Sequence, residues 1–295
     1  MDLIDNYGFK VNAINKMNYK ISCSLVTYKN EREPITLAIT SFLNIKIDSK
    51  LYIIDNSPTD ELKNIVFDPR VDYTHNPSNP GFGAAHNIAI KKAFAFKAKY
   101  HLVLNPDVYF KPGTIEALIK FMDNNLNVGN VMPKVYYPNG SIQYLCKLLP
   151  TPYDWIGRRF NPFKSMIEQR NQKFELRFTN YTEIMDVPYL SGCFMFLRTD
   201  SLKKTGLFDE SIFMYGEETD LCRRLINAEY RTVFFPKVSI IHSFEKGSHK
   251  SWRLTWIGIK SAIYYFNKWG WFFDKERVKI NKEALFKLRY IKVDL

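Results

Sequence analysis

The sequence is poor in cysteine, in long apolar runs and in internal repetition, and each shortage removes a class of protein. Four cysteines, Cys23, Cys146, Cys193 and Cys222, are widely spaced with no CxxC pair, and three lie inside apolar runs. Buried reduced thiols are therefore expected rather than bridges or zinc ligands, which favours a reducing compartment. No apolar stretch approaches the ~20 residues that a spanning helix needs. Residues 1–20 carry Asp2 and Asp5 and lack a continuous apolar segment, so they do not read as a secretory signal. A cytoplasmic protein is the expectation. Two nucleotide-binding signatures are also missing. The third glycine of a GxGxxG pattern is replaced by His86, with no strand leading directly into Gly81, and there is no Walker loop.

What is present fits a folded chain. Its 295 residues are 46% hydrophobic and 24% charged, enough for one substantial core with a C-terminal elaboration. The 42 Lys and Arg against 30 Asp and Glu leave a net charge of +12. Such a surface should attract an anion, whether nucleic acid, acidic headgroups or a phosphorylated substrate. A solvated basic face accounts for any single lysine equally well.

Between residues 21 and 137, short β-branched runs alternate with helical ones, the pattern of a mostly parallel sheet covered by helices. Strands are expected at 21–27, 51–54, 71–75, 101–104 and 131–136. Helices should open at Pro34, with Ile35, Ala38, Ile39 and Phe42 on one face, and should span 84–97 and 113–124. Residues 147–187 break this rhythm with Pro150, Pro152, Pro162, Arg158 and Arg159, and read as an irregular insertion carrying one helix. After it come a near-continuous strand over 189–198, a helix over 217–228 and a last strand over 232–235. Near the C-terminus, Trp252, Trp256, Ile259, Ile263 and Phe266 fall on one helical stripe, and 246–292 hold 12 Lys and Arg against three acids. That stripe either lies on a membrane surface or packs on the rest of the chain, since core helices share the periodicity.

In an open α/β sheet, ligands bind beyond the carboxyl ends of the strands. Thr27 and Tyr28 stand at the first such end, Asp55, Asn56 and Ser57 at the second, and Asn105, Pro106 and Asp107 at the fourth. Taken singly, each group after a strand also reads as a turn whose side chain bonds its own backbone. Gly81 and Gly83 could let backbone approach a ligand closely. Glu217, Glu218 and Asp220 crowd one helix start. Capping explains one or two acids there, and the third suggests an acid–base group.

Read in order, Val26-Thr27-Tyr28, Ile54-Asp55-Asn56-Ser57, the stretch NPGFGAAHN from Asn79 to Asn87, Leu104-Asn105-Pro106-Asp107, Leu190-Ser191-Gly192-Cys193-Phe194 and FMYGEETDLCRR from Phe213 to Arg224 resemble the family 2 glycosyltransferases of the GT-A fold. The likeness covers roughly 21–248 and is greatest to the bacterial rhamnosyltransferase-like branch. It implies an α/β, Rossmann-like fold with a mostly parallel central sheet flanked by helices and a C-terminal helical extension. The divisions would be an N-terminal extension, 1–20, a catalytic domain, 21–245, and a basic aromatic helical region, 246–295. Within the catalytic domain, 21–137 would bind the nucleotide sugar, and 138–245, with the insertion 147–187, would hold the acceptor.

The resemblance implies that Thr27, Tyr28, Asp55 and Asn56 line the nucleoside pocket, with Gly81 and Asn87 closing over it. Asp107 matches the final acid of the family's DxD metal motif and would hold Mg²⁺ or Mn²⁺ against the donor diphosphate. Asn105 takes the place of that motif's first Asp, and His242, with Ser248 shortly after, matches a histidine that completes the site in related enzymes. Glu218 matches the second acid of the ED motif, the general base of an inverting displacement, with Glu in place of the more frequent Asp. Glu217 and Asp220 would position the acceptor or anchor the loop. Ser191 and Gly192 would form the acceptor side of the cleft.

The implied activity is transfer of L-rhamnose from dTDP-L-rhamnose to a lipid-diphosphate-linked saccharide of a bacterial surface polysaccharide, O-antigen or capsule. The same scaffold also serves UDP-hexoses and UDP-N-acetylhexosamines. The C-terminal region would bring the enzyme to anionic headgroups on the inner face of the cell membrane. A non-enzymatic nucleic-acid-binding protein is the competing class, motivated by the charge and by 16% aromatic residues. Against it, the basic residues concentrate after Lys246 while carboxylates gather where the cleft should be, so no nucleic acid is expected. The loss of the first DxD acid also leaves room for a degenerate transferase that binds donor without turnover.

Overall fold

The computed structural model describes residues 3–4, 10–11, 20–158, 161–243 and 252–289. Most of the expected N-terminal extension, together with Arg159 and Ser248, lies outside the described residues. In chain order the elements are β1 (Leu3–Ile4), β2 (Lys10–Val11), β3 (Ile21–Thr27), α1 (Arg32–Leu43), β4 (Ser49–Asp55), β5 (Val71–His75), α2 (Phe82–Ala95), β6 (Tyr100–Leu104), β7 (Val108–Phe110), α3 (Thr114–Asn124), β8 (Val128–Tyr136), β9 (Cys146–Lys147), α4 (Lys164–Phe174), β10 (Met185–Asp186), β11 (Tyr189–Leu190), β12 (Phe194–Arg198), α5 (Thr199–Thr205), α6 (Glu217–Asn227), β13 (Arg231–His242), α7 (Trp252–Trp269) and α8 (Lys275–Leu288).

The central sheet has the order β10-β13-β8-β12-β6-β3-β4-β5, with β7 on β13. Strands β5, β4, β3, β6, β8 and β13 run one way, while β12, β7 and β10 run the other. Both faces are covered, which is why the inner strands read as nearly unbroken apolar runs. Leu51 and Ile53 of β4 join the core that holds Ile35, Ala38, Ile39 and Phe42 of α1. Their neighbours Tyr52 and Ile54 meet Ala85, Ala89 and Ala93 of α2 on the opposite face. Alanines four residues apart let that helix lie close to the sheet.

Shared strand direction has a functional consequence. The carboxyl ends of β3, β4, β6 and β13 open on one edge. Strand β12 is antiparallel and begins at that edge, with Phe194 opposite Leu104. The connector 191–193 therefore meets the residues that follow β6.

Several elements depart from the sequence reading. The strand expected over 189–198 is split: β11 pairs with β9 in a separate ladder, residues 191–193 turn, and β12 enters the main sheet. The last strand does not stop at Phe235. A register shift between Phe235 and Ser239, around Pro236 with its missing N–H, lets β13 resume and run to His242. His242 is thus the final residue of that strand rather than a residue beyond it. The insertion carries its expected helix, α4, and also a π-helical turn at Tyr153–Gly157.

Helices α7 and α8 dock on the portion built around the central sheet. Arg223 of α6 forms a bidentate pair with Asp274 at 2.6 and 2.7 Å, both side chains being buried. Asp274 also caps α8 by accepting from the Arg277 amide. Asn281 exchanges two hydrogen bonds with the Leu149 backbone. Trp155 packs against Tyr265 and Phe266. The stripe read from the sequence divides: Phe266 is buried, whereas Trp252 and Trp256 are 77% and 60% exposed. Among the described residues, no helix is long and apolar enough to cross a membrane.

Candidate active site

At the first strand ends, Asp55 is fully buried and held from three sides. Thr27 Oγ1 and the Ser57 amide each donate to Oδ1 at 3.0 Å, and the Tyr73 hydroxyl donates to Oδ2 at 2.8 Å. Burial and then Asp55 push the Tyr73 phenol above its ordinary pKa. Asn56 accepts from the Asn76 side chain at 2.8 Å, so the turn after β4 is braced by the turn after β5. Tyr28 stands exposed at the mouth, with the Lys29 ammonium 5.6 Å from its ring centroid.

Gly81 and Asn87 have partners other than a ligand. A Cβ on Gly81, where φ is +106°, would lie 2.3 Å from the Phe213 carbonyl oxygen, which accepts from the Phe82 amide at 2.8 Å. Asn87 donates to the Phe208 carbonyl and accepts from the Phe208 amide, and it also donates to Glu210. The stretch 79–87 therefore grips the loop 208–213, which leads to the acids of α6.

After β6, Asp107 points at the end of β13. His242 Nε2 lies 3.5 Å from Asp107 Oδ1, and its Nδ1 lies 2.9 Å from Gln143 Oε1. Gln143 in turn donates to the His242 carbonyl, fixing the ring's neighbour on both sides. Burial pulls the imidazole's pKa down, but the Cys193 sulfur and the Asp107 carboxylate outweigh it and lift the value to about 10. Asn105 donates its amide to the Cys193 carbonyl, and its buried Oδ1 has no hydrogen-bond partner among the described residues. No three His, Cys, Asp or Glu side chains converge there as a complete cation cage among the described residues. One carboxylate and one imidazole 3.5 Å apart nevertheless fit a divalent ion that takes its remaining ligands from substrate phosphates, since two cis ligands at ~2.1 Å stand about 3 Å apart, and binding would release the imidazole proton.

The connector 191–193 also meets Glu218. Tyr189 Oη donates to Oε1 at 3.0 Å, and the Gly216 amide donates to Oε2 at 3.0 Å. A Cβ on Gly192 would sit 3.5 Å from the Glu218 side chain, so the connector lies flat against this half-buried acid. The Ser191 hydroxyl lies within the same turn, 3.5 Å from the Cys193 amide. Glu217 points away into the protein. It is buried, Oε2 has no hydrogen-bond partner among the described residues, and burial followed by Glu218 raises its pKa well above the carboxylate range. The two adjacent acids are thus placed in opposite environments.

The loop that presents Glu218 is strained and externally held. Tyr215 and Gly216 have φ of +72° and +108°. Ser261 of α7 donates to the Met214 carbonyl at 2.7 Å. Asp220, fully buried, accepts from Arg224, from Trp269 Nε1 and from Lys268, each at 2.8 Å. Its carboxylate serves the docking of α7. Tyr189, Tyr73 and Gln143 join this site although no sequence motif marks them, because only the fold brings them there.

A sequence model of glycosyl transferase family 2 matches residues 23–206. The N-acetylglucosaminyl-diphospho-decaprenol L-rhamnosyltransferase of Mycobacterium tuberculosis is 26% identical over 207 residues, covering 64% of this chain and 65% of that protein. Rhamnosyltransferase WbbL of Escherichia coli is 27% identical over 167 residues, 55% of this chain and 60% of its own length. The chain thus spans less than two thirds of the length of these relatives. Among solved structures, the crystal structure of GalNAc-T7 with UDP, GalNAc and Mn2+ matches with a TM-score of 0.57 at 15% identity, over 76% of this chain and 43% of that one. S. aureus TarS matches with a TM-score of 0.53 at 16% identity, over 90% and 43%. These likenesses identify the fold as GT-A.

Proposed function

The chain belongs to glycosyl transferase family 2, and on that premise we propose that it moves a sugar from a nucleoside diphosphate to a hydroxyl acceptor with inversion at the anomeric carbon. The observation that supports this reading is that one connector, 191–193, touches both Glu218 and the residues that lead to Asp107. Gly192 packs on Glu218, and the next residue, Cys193, accepts from Asn105. A donor diphosphate at Asp107 and an acceptor hydroxyl at Glu218 would then face each other across Ser191 and Gly192.

Glu218 takes the acceptor proton as the acceptor oxygen attacks the anomeric carbon. The bond from that carbon to the diphosphate oxygen breaks, and its electron pair leaves with the diphosphate. Tyr189 and Gly216 keep both carboxylate oxygens oriented. Charge neutralisation of the leaving group is the chemistry that Mg²⁺ or Mn²⁺, held by Asp107 with His242, would supply. Thr27, Tyr28, Asp55 and Asn56 form the nucleoside end.

Two relatives are named rhamnosyltransferases, which supports dTDP-L-rhamnose as donor ahead of UDP-hexoses or UDP-N-acetylhexosamines. The diphospho-decaprenol in the first name supports a lipid-diphosphate-linked saccharide as acceptor. The outward-facing Trp252 and Trp256, with Arg253 and Lys260 on the same helix, favour peripheral binding to an anionic membrane surface at the cytoplasmic face. Thermal stabilisation across a nucleotide-sugar panel, with and without Mn²⁺, tests the reading. Stabilisation by dTDP-L-rhamnose, with its metal-dependent part lost in Asp107→Ala, is expected. No response to any nucleotide sugar would overturn it.

A further inference from the structure

The insertion places one basic side chain beside the catalytic carboxylate, and among the described residues no carboxylate pairs with it. Lys147 of β9 stands directly opposite Tyr189 of β11, with its ammonium 5.5 Å from the Tyr189 ring centroid. The hydroxyl of that same ring donates to Glu218, so Lys147 and Glu218 flank one aromatic side chain. Lys147 is half-buried. The acids around it are engaged elsewhere: Glu175 pairs with Arg177 at 2.6 Å and with Arg158 at 3.5 Å, and Glu218 accepts from Tyr189 and Gly216. Among the described residues, no carboxylate lies within ion-pairing distance of Lys147 Nζ.

An ammonium has three donors and no acceptor. Shielding part of it from water without an ion-pair partner is unfavourable, and burial pulls its pKa down, with Glu175 and Glu218 opposing that shift. A bound anion would supply what the protein withholds. The Tyr189 ring that carries the ammonium on its face bonds Glu218 through its hydroxyl, and Gly192 of the connector lies against that same carboxylate. A phosphate group is the anion that the proposed reaction brings to this place.

We propose that Lys147 Nζ binds a phosphate oxygen in the cleft beside Glu218. This rests on the glycosyl-transfer reading. The phosphate belongs either to the departing nucleoside diphosphate or to a diphosphate-linked acceptor, and the two sources are separable. Calorimetric titration of the full chain with UDP, dTDP and farnesyl diphosphate, each with Mn²⁺, is compared for wild type, Lys147→Met, Lys147→Gln and Lys147→Arg, with uridine and thymidine as phosphate-free controls. Loss of a charge-assisted hydrogen bond should weaken at least one diphosphate by about tenfold or more, leave the nucleosides unchanged and be restored in part by Arg.

A loss confined to UDP and dTDP assigns the contact to the leaving group, and one confined to farnesyl diphosphate assigns it to the acceptor. Diphosphate affinities equal to wild type in folded Lys147→Met and Lys147→Gln would overturn the inference and leave the function standing. An equal loss on the nucleosides would mark a structural role and also overturn it. Wild type binding none of the diphosphates would overturn both.

Discussion

The Tyr189 hydroxyl lies 3.0 Å from Oε1 of Glu218 and donates to it. Because Tyr189 belongs to the small β9–β11 ladder and Glu218 to α6, this bond ties that ladder to the helix that carries the proposed base. Hydrogen bonds to charged groups contribute about 1.5–3 kcal/mol. Tyr189→Phe should therefore lower kcat by roughly tenfold or more with little change in donor KM, measured by steady-state kinetics.

Gly216 supplies the turn that aims Glu218. Its φ of +108° disfavours any side chain, and a Cβ there would lie 2.2 Å from Trp155 Cη2. Gly216→Ala should destabilise the protein by more than the ~1–2 kcal/mol of left-handed backbone strain alone. Adding Trp155→Ala should recover the steric part and not the backbone part. A double-mutant cycle in urea unfolding measures the coupling.

The Arg223–Asp274 pair is almost entirely out of water. Asp274→Ala leaves the buried guanidinium with Glu276 alone, at 2.8 Å. It should therefore cost less in urea unfolding than the ~3–5 kcal/mol of a fully unpaired buried charge, a cost that Asp274→Ala with Glu276→Ala should reach. Arg223→Met with Asp274→Leu should cost less. The single variant should also lower kcat, because α7 holds Met214 and Asp220 beside the catalytic loop.

The sheet-to-α2 interface contains a polar chain. Ser24 Oγ lies 2.6 Å from His86 Nδ1 and 2.8 Å from His101 Nε2, and Ser22 Oγ lies 2.8 Å from His101 Nδ1. Burial lowers both imidazoles, His101 to about 3. The unfolded chain, with histidines near 6.5, then binds more protons. The contribution is fully present above that pH and is lost as pH falls toward the folded pKa. Glu217 acts oppositely, since its raised pKa makes the folded state bind more protons above about 4.5. Urea midpoints between pH 6.5 and 4.5 should fall less steeply with acidification in His101→Asn than in wild type, by up to about 1.4 kcal/mol per pH unit.

Much of the fold is legible in local pattern. The bounds read for β3 and β5 coincide with the structure, whereas Asp107 and Glu218 are singled out only by the family resemblance, since position alone reads equally as a turn or a helix cap. What local pattern misses is partnership. Glycine at 81 signals close approach, but only the fold shows that the approaching group is Phe213. Three acids at a helix start look alike, yet Glu217 is buried, Glu218 faces the connector and Asp220 binds α7. Helical periodicity groups Trp252 with Phe266 on one stripe, although only the latter meets the core.

Turnover by Glu218→Gln tests the central claim most directly. The substitution nearly preserves shape and removes the proton acceptor. Nucleotide-sugar affinity should be retained while transfer to acceptor falls by roughly 100-fold or more. A variant that transfers sugar at the wild-type rate would contradict the assignment of Glu218 as the base.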